Sequence, residues 1–527
     1  MYNHMKNIYL TIIASLILLG SNGQPLFQKY LSIANSGGIL YRTIQTGDGG
    51  FAAVGQVTDN ASFLSDFLAI KTDANGNASW IKQLANANND DSFTDLIETT
   101  GGIAAVGSTM NFTTFISQAV VEKFDATGVK LWCKTYSIGG VSSVARKVQK
   151  DDAGNLYVLG TVDMGVTLAD YFILKLDANG NILQQTVFGT PGTDFPLSFL
   201  RKSSGEFFIG GWADTGAGEN INLIKVSSAM TVTWSKLISG SIKYFAYDMK
   251  EKSNGNIVMA GRYDDGATSY DVLIIEFNAN TGDVVWAKSY STQDDLAAYA
   301  YGLAIKLGDM IAITGVVEDS TRGTLLLGTD ATGTFTWSER IGSLTGEYGS
   351  GYGIAKTGDA GYIVCGNRGD NNNSIAQLFK LDGSGDGPCN RTLYPFTETV
   401  RTLPSQNLTI TVNAGSLTAQ DITPSQISLT SLEDICSATG IADKYYTNEI
   451  GIYPNPSQGK ITLSFEKLLP VASIKIFNSQ GRELYSIPES VGFLTGYVQI
   501  NLDLPKGIYL IQVNKGDKQY TRKLIIE

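Results

Sequence analysis

Five side chains have the type and position expected of ligand-binding residues: Trp212, Asp214, Arg262, Arg322 and Arg368. Trp212 lies outside the register in which the other five tryptophans recur, and Asp214 is close to it. An indole can stack on a sugar ring, or it can pack against a neighbouring loop. The three arginines follow equivalent predicted strands and suit a carboxylate or an anionic glycan, unless they are solvated surface charges.

Four acidic residues follow the tryptophan register at intervals of nine or ten positions: Asp90, Asp194, Asp295 and Glu347. Carboxylate oxygens on loops are ligands that Ca²⁺ prefers. The same side chains can instead accept hydrogen bonds that cap their own loops. Ca²⁺ is therefore the one cofactor that the sequence suggests, with loop capping as the other interpretation.

Histidine is almost absent, which limits the available catalytic chemistry. The only histidine is His4, within residues 1–23, which have the charge, apolar run and small-residue cleavage site of a secretory signal peptide. Its removal excludes Ser-His-Asp catalysis, Cys-His catalysis and His-ligated zinc from the mature chain. The apolar run is too short to cross a bilayer, and we predict no transmembrane span in the mature chain and no catalytic residue.

The elements that must position these side chains are repeated. An apolar run ending in glycine occurs seven times at intervals of 50 to 54 residues. These marker glycines are Gly55, Gly107, Gly160, Gly211, Gly261, Gly315 and Gly366. A tryptophan register with intervals of 50 to 52 residues runs through Trp80, Trp132, Gln184, Trp234, Trp286 and Trp337. Turns such as Asp73-Ala-Asn-Gly76 precede it, so each unit is predicted to contain four antiparallel strands.

The repeat predicts an all-β protein with a seven-bladed β-propeller over residues 24–388. The seventh unit lacks its tryptophan strand, and Phe27 lies 53 residues before Trp80. The N-terminal strand is therefore expected to complete that unit and close the ring, which would leave no free edge. A linear solenoid is the alternative.

The repeats resemble bacterial propeller repeats with a glycine marker and an Asp-x-x-Gly-x-x-x-Trp pattern, called delta-60 repeats. The stretch from Asn280 to Trp286 is also similar to the tryptophan-docking repeats of quinoprotein propellers. Both resemblances imply a fold rather than an activity.

Residues 389–449 lie outside the repeats and are rich in Thr and Ser. They are interpreted as a linker or a β extension, with a disulfide expected between the flanking Cys389 and Cys436. Cys133 and Cys365 fall inside predicted strands and are expected to be buried free thiols.

The last segment, residues 450–527, has a different pattern of short alternating runs between Gly, Asn and Pro turns, which predicts an Ig-like β-sandwich. Its landmarks are Tyr453, Pro454, Asn455, Pro456, Gly459, Gly481, Gly507, Tyr509 and Lys523. With these landmarks the segment resembles the C-terminal sorting domain of the type IX (Por) secretion system of Bacteroidetes. The resemblance implies that the secretion machinery is a partner and that the protein is secreted or held at the outer cell surface.

Two functions from different classes are compatible with the sequence. The first is a non-catalytic binding or adhesion module for glycans or proteins at the cell surface, and the second is a carboxylate-based glycan hydrolase or lyase. The absence of a recognisable catalytic motif favours the first. A net charge of −11 argues against nucleic acid as a partner, and a monomer is expected.

Overall fold

The structure is a computed structural model. It describes residues 24–526 except 32, 34, 87, 164–168, 215–218, 239–243, 265, 267–268, 319–321, 343–347, 371–372, 388–390, 414, 430–431, 435–449, 454–456, 466–472, 479–481, 488–496 and 516–517. The described chain is built of β-strands, with a short 3₁₀ turn at Leu307–Asp309. None of its helices has the length and apolar character needed to cross a membrane. The predicted signal peptide, residues 1–23, lies outside the described residues.

Twenty-eight strands arise from the repeats and the segment before them. They are β1 (Phe27–Leu31), β2 (Ser36–Gln45), β3 (Phe51–Asp59), β4 (Ser65–Thr72), β5 (Ala78–Ala85), β6 (Asn89–Thr99), β7 (Gly102–Asn111), β8 (Ser117–Asp125), β9 (Lys130–Ser137), β10 (Ser143–Lys150), β11 (Leu156–Asp163), β12 (Ala169–Leu176), β13 (Ile182–Gly189), β14 (Thr193–Arg201), β15 (Phe207–Asp214), β16 (Glu219–Val226), β17 (Val232–Ile238), β18 (Tyr244–Glu251), β19 (Ile257–Asp264), β20 (Tyr270–Phe277), β21 (Val284–Thr292), β22 (Ala297–Ile305), β23 (Ile311–Glu318), β24 (Arg322–Thr329), β25 (Phe335–Ile341), β26 (Tyr348–Lys356), β27 (Tyr362–Asp370) and β28 (Asn373–Leu381).

Seven short strands follow. They are β29 (Arg391–Leu393), β30 (Phe396–Val400), β31 (Ser405–Asn407), β32 (Thr411–Asn413), β33 (Thr418–Asp421), β34 (Ser425–Leu429) and β35 (Glu433–Asp434). We call this segment the belt.

The repeats form seven antiparallel sheets, one for each unit, in which chain neighbours pair in order. Sheets one to six contain β2 to β5, β6 to β9, β10 to β13, β14 to β17, β18 to β21 and β22 to β25. The seventh sheet has the order β26-β27-β28-β1-β35. In it the N-terminal strand pairs with β28, with Phe27 opposite Lys380 and Gln28 opposite Phe379.

The belt adds a fifth strand to every one of these sheets. Strands β29, β30, β31, β32, β33 and β34 pair with β25, β21, β17, β13, β9 and β5, so the belt visits the sheets in reverse order. Its last strand, β35, pairs with β1 in the seventh sheet. Each belt strand covers the outer edge that the fourth strand of a unit would otherwise leave unpaired, which protects that edge against association with other chains.

The prediction of a seven-bladed propeller closed by the N-terminal strand is wrong. The protein is all-β, but its described residues form nine separate sheets, none of which closes or curls on itself. Strand β1 forms ladder hydrogen bonds with β28 and β35, which both belong to the seventh sheet. It therefore completes that one open sheet, whose edge strands are β26 and β35. The repeat sheets also have five strands rather than four, since the belt supplies the outermost one.

Neighbouring sheets meet through side chains rather than through ladder hydrogen bonds. Apolar clusters join the first and second, second and third, third and fourth, and fourth and fifth sheets. A further cluster contains Leu40 and Phe51 of the first sheet together with Cys365 and Leu378 of the seventh. Cys133 and Cys365 are buried free thiols, which confirms that prediction.

The tryptophan register and the turn glycines form matched pairs between sheets. The Trp80 indole donates a hydrogen bond to the Ala126 carbonyl in the next unit, and a Cβ on Gly128 would lie 2.7 Å from Trp80 Cδ2. Gln184 stands in for a tryptophan, and Met230 occupies the paired glycine position with a φ of 62°. Where the register has a smaller side chain than tryptophan, the paired turn position thus has a larger side chain than glycine.

The C-terminal strands form two sheets over one apolar core. The strands are β36 (Ile450–Tyr453), β37 (Lys460–Phe465), β38 (Ser473–Phe477), β39 (Glu483–Ile487), β40 (Tyr497–Asn501), β41 (Gly507–Lys515) and β42 (Lys518–Ile526). One sheet has the order β36-β37-β40 and the other β39-β38-β41-β42. Ile461 and Ile500 from the first sheet share a core with Ile474 and Ile511 from the second. The predicted Ig-like sandwich is therefore corrected to two separate sheets, of three and four strands, over this core.

The chain divides into two compact units. The first comprises Met1–Ser338, Gly342–Gly387 and Pro395–Ile435, and the second Glu339–Ile341, Pro388–Tyr394 and Cys436–Glu527. Cys389 and Cys436 both lie outside the described residues, so their predicted disulfide stays a prediction. The segment interpreted as a linker or β extension contributes the belt strands from Arg391 to Asp434.

Candidate ligand-binding site

The first strand of every repeat sheet contains a β-bulge at the same point of the repeat. The ladder skips one residue in each of these strands, and the skipped residues are Tyr41, Thr94, Arg146, Leu197, Tyr247, Tyr301 and Tyr352. All seven side chains are half-buried. Because a bulge re-aims the side chain that it carries, the repeat presents seven different side chains from equivalent positions.

The marker glycines make room for these bulges. Gly261 pairs with Ala246, the residue before the bulge, and a Cβ at Gly261 would lie 1.7 Å from the Phe245 carbonyl oxygen. At Gly55 the corresponding distance, to the Ile39 carbonyl oxygen, is 1.9 Å. The other five marker glycines would meet equivalent carbonyl oxygens at 1.9 to 2.1 Å. The glycine motif in the sequence is therefore the signature of the bulge.

An aromatic–arginine array runs from the third sheet to the fifth. It consists of Arg146, Phe195, Trp212, Phe245, Arg262 and Tyr270. The Arg146 guanidinium lies 4.2 Å from the Phe195 ring centroid, and the Phe195 and Trp212 rings stack with centroids 5.4 Å apart. Trp212 meets Phe245 edge-on at 6.2 Å. Arg262 lies 4.1 Å over the Phe245 ring and 4.5 Å over the Tyr270 ring.

The array is partly open to solvent. Phe195, Trp212, Arg262 and Tyr270 are half-buried, whereas Phe245 is buried beneath its neighbours. Three rings lie between the two guanidinium groups, and each guanidinium rests on an aromatic face. Such a surface can stack on apolar ring faces and can donate hydrogen bonds to anions.

A tyrosine cluster adjoins the array. Tyr301 contacts Tyr247 with ring centroids 5.0 Å apart and Tyr352 at 5.1 Å, and Tyr352 contacts Tyr41 at 5.4 Å. Tyr247 stacks on Phe245 at 6.2 Å, which connects the cluster to the array. Burial raises the pKa of Tyr301 well above its usual value, so the phenol remains a neutral hydrogen-bond donor.

A central charge cluster is formed by Arg42, Asp95, Lys147, Asp248 and Lys250, one residue or more after the bulges. Arg42 Nη1 lies 2.9 Å from Asp248, and its Nε lies 3.4 Å from Asp95. Lys250 Nζ lies 2.8 Å from Asp248. Burial would raise the pKa of Asp248, but the charges of Arg42 and Lys250 hold it well below its usual value. Burial lowers the pKa of Lys250 to about 8 and also lowers that of Lys147.

The structure brings two of the five predicted ligand residues together, Trp212 and Arg262. Arg322 forms an ion pair with Glu318, and Glu318 accepts a hydrogen bond of 2.6 Å from Tyr299. Asp214 lies opposite Thr193 and Glu219 in its sheet, and Arg368 lies opposite Gly349 and Ile375 in its own. Sequence reasoning missed Arg146 and Phe195, although Arg146 lies 14 residues before the marker Gly160 and that interval would have found it.

The described members of the predicted metal set each accept a hydrogen bond from a different partner. Asp90 accepts a hydrogen bond of 2.9 Å from the Ser65 amide, and Asp295 accepts one of 2.6 Å from the Ser269 hydroxyl. Asp194 is fully buried, accepts a hydrogen bond of 2.6 Å from the Thr190 amide, and has its pKa raised to about 7 by burial. Glu347 lies outside the described residues. Among those that are described, no group of three or more His, Cys, Asp or Glu side chains is arranged to hold a metal ion.

A cavity of about 540 Å³ lies away from the array, beneath the belt. Trp234, Ser235, Leu408 and Ile410 are among the residues that line it. The Trp234 Nε1 is buried without a hydrogen-bond partner in the described structure, unlike the indole of Trp80. The lining is neutral and contains several hydroxyl groups.

Four of the predicted sorting landmarks have described surroundings. Gly459 adopts a φ of +97° and accepts a hydrogen bond of 2.6 Å from the Leu502 amide. Tyr509 is buried and donates a hydrogen bond of 2.6 Å to the Pro505 carbonyl. Gly507 begins β41, and Lys523 lies opposite Leu510 in β42. Tyr453 ends β36, whereas Pro454, Asn455, Pro456 and Gly481 fall outside the described residues.

Two solved structures show a weak similarity to the chain. A protein of unknown function from Dyadobacter fermentans DSM 18053 aligns with a TM-score of 0.35 and 12% identity, over 67% of this chain and 93% of that one. The BSP domain of a biofilm associated protein aligns with a TM-score of 0.12 and 8% identity, over 82% of this chain and 96% of that one. No curated protein matches the sequence.

The C-terminal module matches a family model over residues 451–527, and the description of that family is "Secretion system C-terminal sorting domain". The match covers β36 to β42 and the core that they share. It confirms the predicted type IX sorting domain, whose partner is the secretion machinery. The protein is therefore exported to the extracellular space or the cell surface by a type IX sorting domain at its C-terminus.

Proposed function

We propose that the exported protein is a non-catalytic binding or adhesion module, and that the aromatic–arginine array is the surface that contacts its ligand, a glycan or a protein. The observation that carries the proposal is the half-exposed stack of Phe195 on Trp212 with Arg146 and Arg262 on rings at either side. Aromatic and arginine side chains dominate the energetics of recognition surfaces.

The bulges support the proposal because they give the repeats a shared scaffold with variable side chains. Equivalent bulge positions carry Arg146 in the third sheet, Leu197 in the fourth and Tyr247 in the fifth. A scaffold that keeps its backbone and varies its projecting residues is typical of binding surfaces. The polar network of Arg42, Asp95 and Asp248 holds the first strands of different sheets together beneath them.

The alternative function, a carboxylate-based glycan hydrolase or lyase, requires two acids that reach the substrate. Asp170 and Asp194 are close together, since a Cβ on Gly189 would approach both within 2.7 Å. Asp194 is fully buried, and Asp170 accepts a hydrogen bond from Asn413. Burial of this pair favours binding over hydrolysis as the function of the protein.

A glycan panel combined with an assay for released reducing sugar tests the proposal on the full-length chain. We expect saturable binding without sugar release, and at least a tenfold loss of affinity in Trp212→Ala, because a stacked aromatic ring contributes roughly 1.4 kcal/mol or more. Phe112→Ala is the matched control, since Phe112 is an exposed aromatic outside the array. Sugar release that is lost in Asp194→Asn would contradict the proposal, as would equal binding by Trp212→Ala with an unchanged unfolding temperature.

A further inference from the structure

We infer that the ligand of the array is an anionic glycan, with carboxylate groups that pair with Arg146 and Arg262; this inference rests on the proposed function. The two arginines flank a row of three rings, Phe195, Trp212 and Phe245. The rings suit the apolar faces of sugars, and the guanidinium groups suit carboxylates.

Arg146 carries a positive charge that lacks a negative partner among the described residues. Within the part of the chain that the structure describes, its Nε has no hydrogen-bond partner. Burial lowers the pKa of Arg146 to about 10, and no carboxylate of the described residues counteracts that effect. Among the described residues, the face of the Phe195 ring at 4.2 Å is the contact that compensates its charge. Even a half-buried charge without a partner is costly, and an anionic ligand would relieve that cost.

Arg262 has the same deficit at the other end of the row. Its Nε is buried and lacks a hydrogen-bond partner among the described residues. Its guanidinium lies over the rings of Phe245 and Tyr270. The Glu318 carboxylate accepts a hydrogen bond from the adjoining Tyr299 and already pairs with Arg322.

The neighbouring charges do not neutralise these two arginines. The central charge cluster holds three cations, Arg42, Lys147 and Lys250, but only two carboxylates, Asp95 and Asp248. The whole chain has a net charge of −11, so this excess of positive charge is local. A local positive field on an acidic protein favours anions at this surface over other places on the molecule.

A glycan fits these features better than an acidic peptide does. The contact surface presents the half-exposed rings of Phe195 and Trp212 between the two guanidinium groups. The half-exposed Trp212 ring suits the flat face of a sugar unit, and each terminal arginine can form a bidentate pair with a carboxylate. Sugars that carry a carboxylate, such as uronic acids, combine both properties.

Titration of the full-length chain with polygalacturonate, and with its fully methyl-esterified form, tests the inference. The two polymers share their rings and differ in charge. We expect the ester to bind at least tenfold more weakly, and Arg146→Gln and Arg262→Gln each to weaken polygalacturonate binding at least tenfold. Affinity should also fall as salt is raised. Arg201→Gln is the matched control, because Arg201 is also half-buried with an unpartnered Nε but lies at the other end of β14 from Phe195.

The outcomes separate this inference from the proposed function. Equal binding of both polymers, or full binding by both array variants, would overturn the anionic ligand and leave the binding module in place. No binding to any glycan of the panel, or arginine-dependent binding to poly-glutamate alone, would overturn it as well. Arg146→Lys keeps the charge without the planar fork, so if Arg146→Gln fails to fold, the inference predicts partial retention of polygalacturonate binding in Arg146→Lys, and full retention would contradict it.

Discussion

At the scale of single residues, Glu122 shows how burial couples stability to pH. It lies in β8 opposite Cys133 and is fully buried. Neither of its carboxylate oxygens has a hydrogen-bond partner in the described structure, and the neighbouring thiol is only a weak donor. Burial raises the pKa of Glu122 to about 7 from a usual 4.5. The folded state therefore holds the proton more tightly than the unfolded state does.

We predict that Glu122→Gln makes the protein more stable at pH 8 but not at pH 4. Because the pKa of Glu122 is higher in the folded state than in the unfolded state, this residue costs no stability below pH 4.5. As the pH rises from 4.5 through 7, ionisation of Glu122 in the unfolded state lowers the free energy of unfolding by about 3 kcal/mol in total. The amide cannot ionise, so the variant avoids this loss. Chemical unfolding of both proteins at the two pH values measures the difference, and an equal gain at both would contradict the explanation.

The residues of the array differ in how far the sequence can identify them. Trp212 could be singled out because it lies outside the tryptophan register, and Arg262 because it follows one of a set of equivalent predicted strands. Arg146 was not singled out, because only its interval of 14 residues from the marker Gly160 distinguishes it in the sequence. Its place in the array arises from a bulge and from the lack of a nearby carboxylate among the described residues. Both are properties of the packed sheets rather than of the local sequence.

At the scale of elements, the marker glycine has a single structural cause. The bulge in the first strand of each unit brings a carbonyl oxygen to within 1.7 to 2.1 Å of the position that a Cβ on the glycine would occupy. The repeat spacing predicted four strands for each unit, and the consecutive strands of the first six sheets follow that pattern. The bulge was not predicted, because a glycine in a strand also fits other close contacts.

We predict that Gly261→Ala destabilises the protein by at least about 2 kcal/mol, since the backbone of β18 must shift to relieve the contact with the Phe245 carbonyl. Gly139→Ala is the control, because a Cβ there meets nothing within 4 Å. Its effect should stay within about 0.5 kcal/mol. The free energy of unfolding from denaturant titration measures both, and similar values for the two variants would be inconsistent with a steric role for the marker glycine.

At the scale of the whole molecule, the belt is the feature that sequence patterns do not predict. Its strands have two to five residues, too few to establish an alternating pattern. Belt strands pair with partners far away in the chain, as Lys236 does with Asn407. The sorting domain, in contrast, could be predicted, because its landmarks are local in sequence. Export follows from those landmarks, whereas the proposed ligand-binding surface depends on long-range packing.

The central claim, that the aromatic–arginine array is the binding surface, is tested most directly by tryptophan fluorescence. The full-length chain is titrated with the glycan that binds most tightly in the panel, alongside Trp212→Phe, which keeps an aromatic ring but removes one of six indoles. We predict that the ligand-induced change in emission is lost in Trp212→Phe while saturable binding remains measurable by calorimetry. An undiminished emission change in that variant would show that the ligand binds elsewhere.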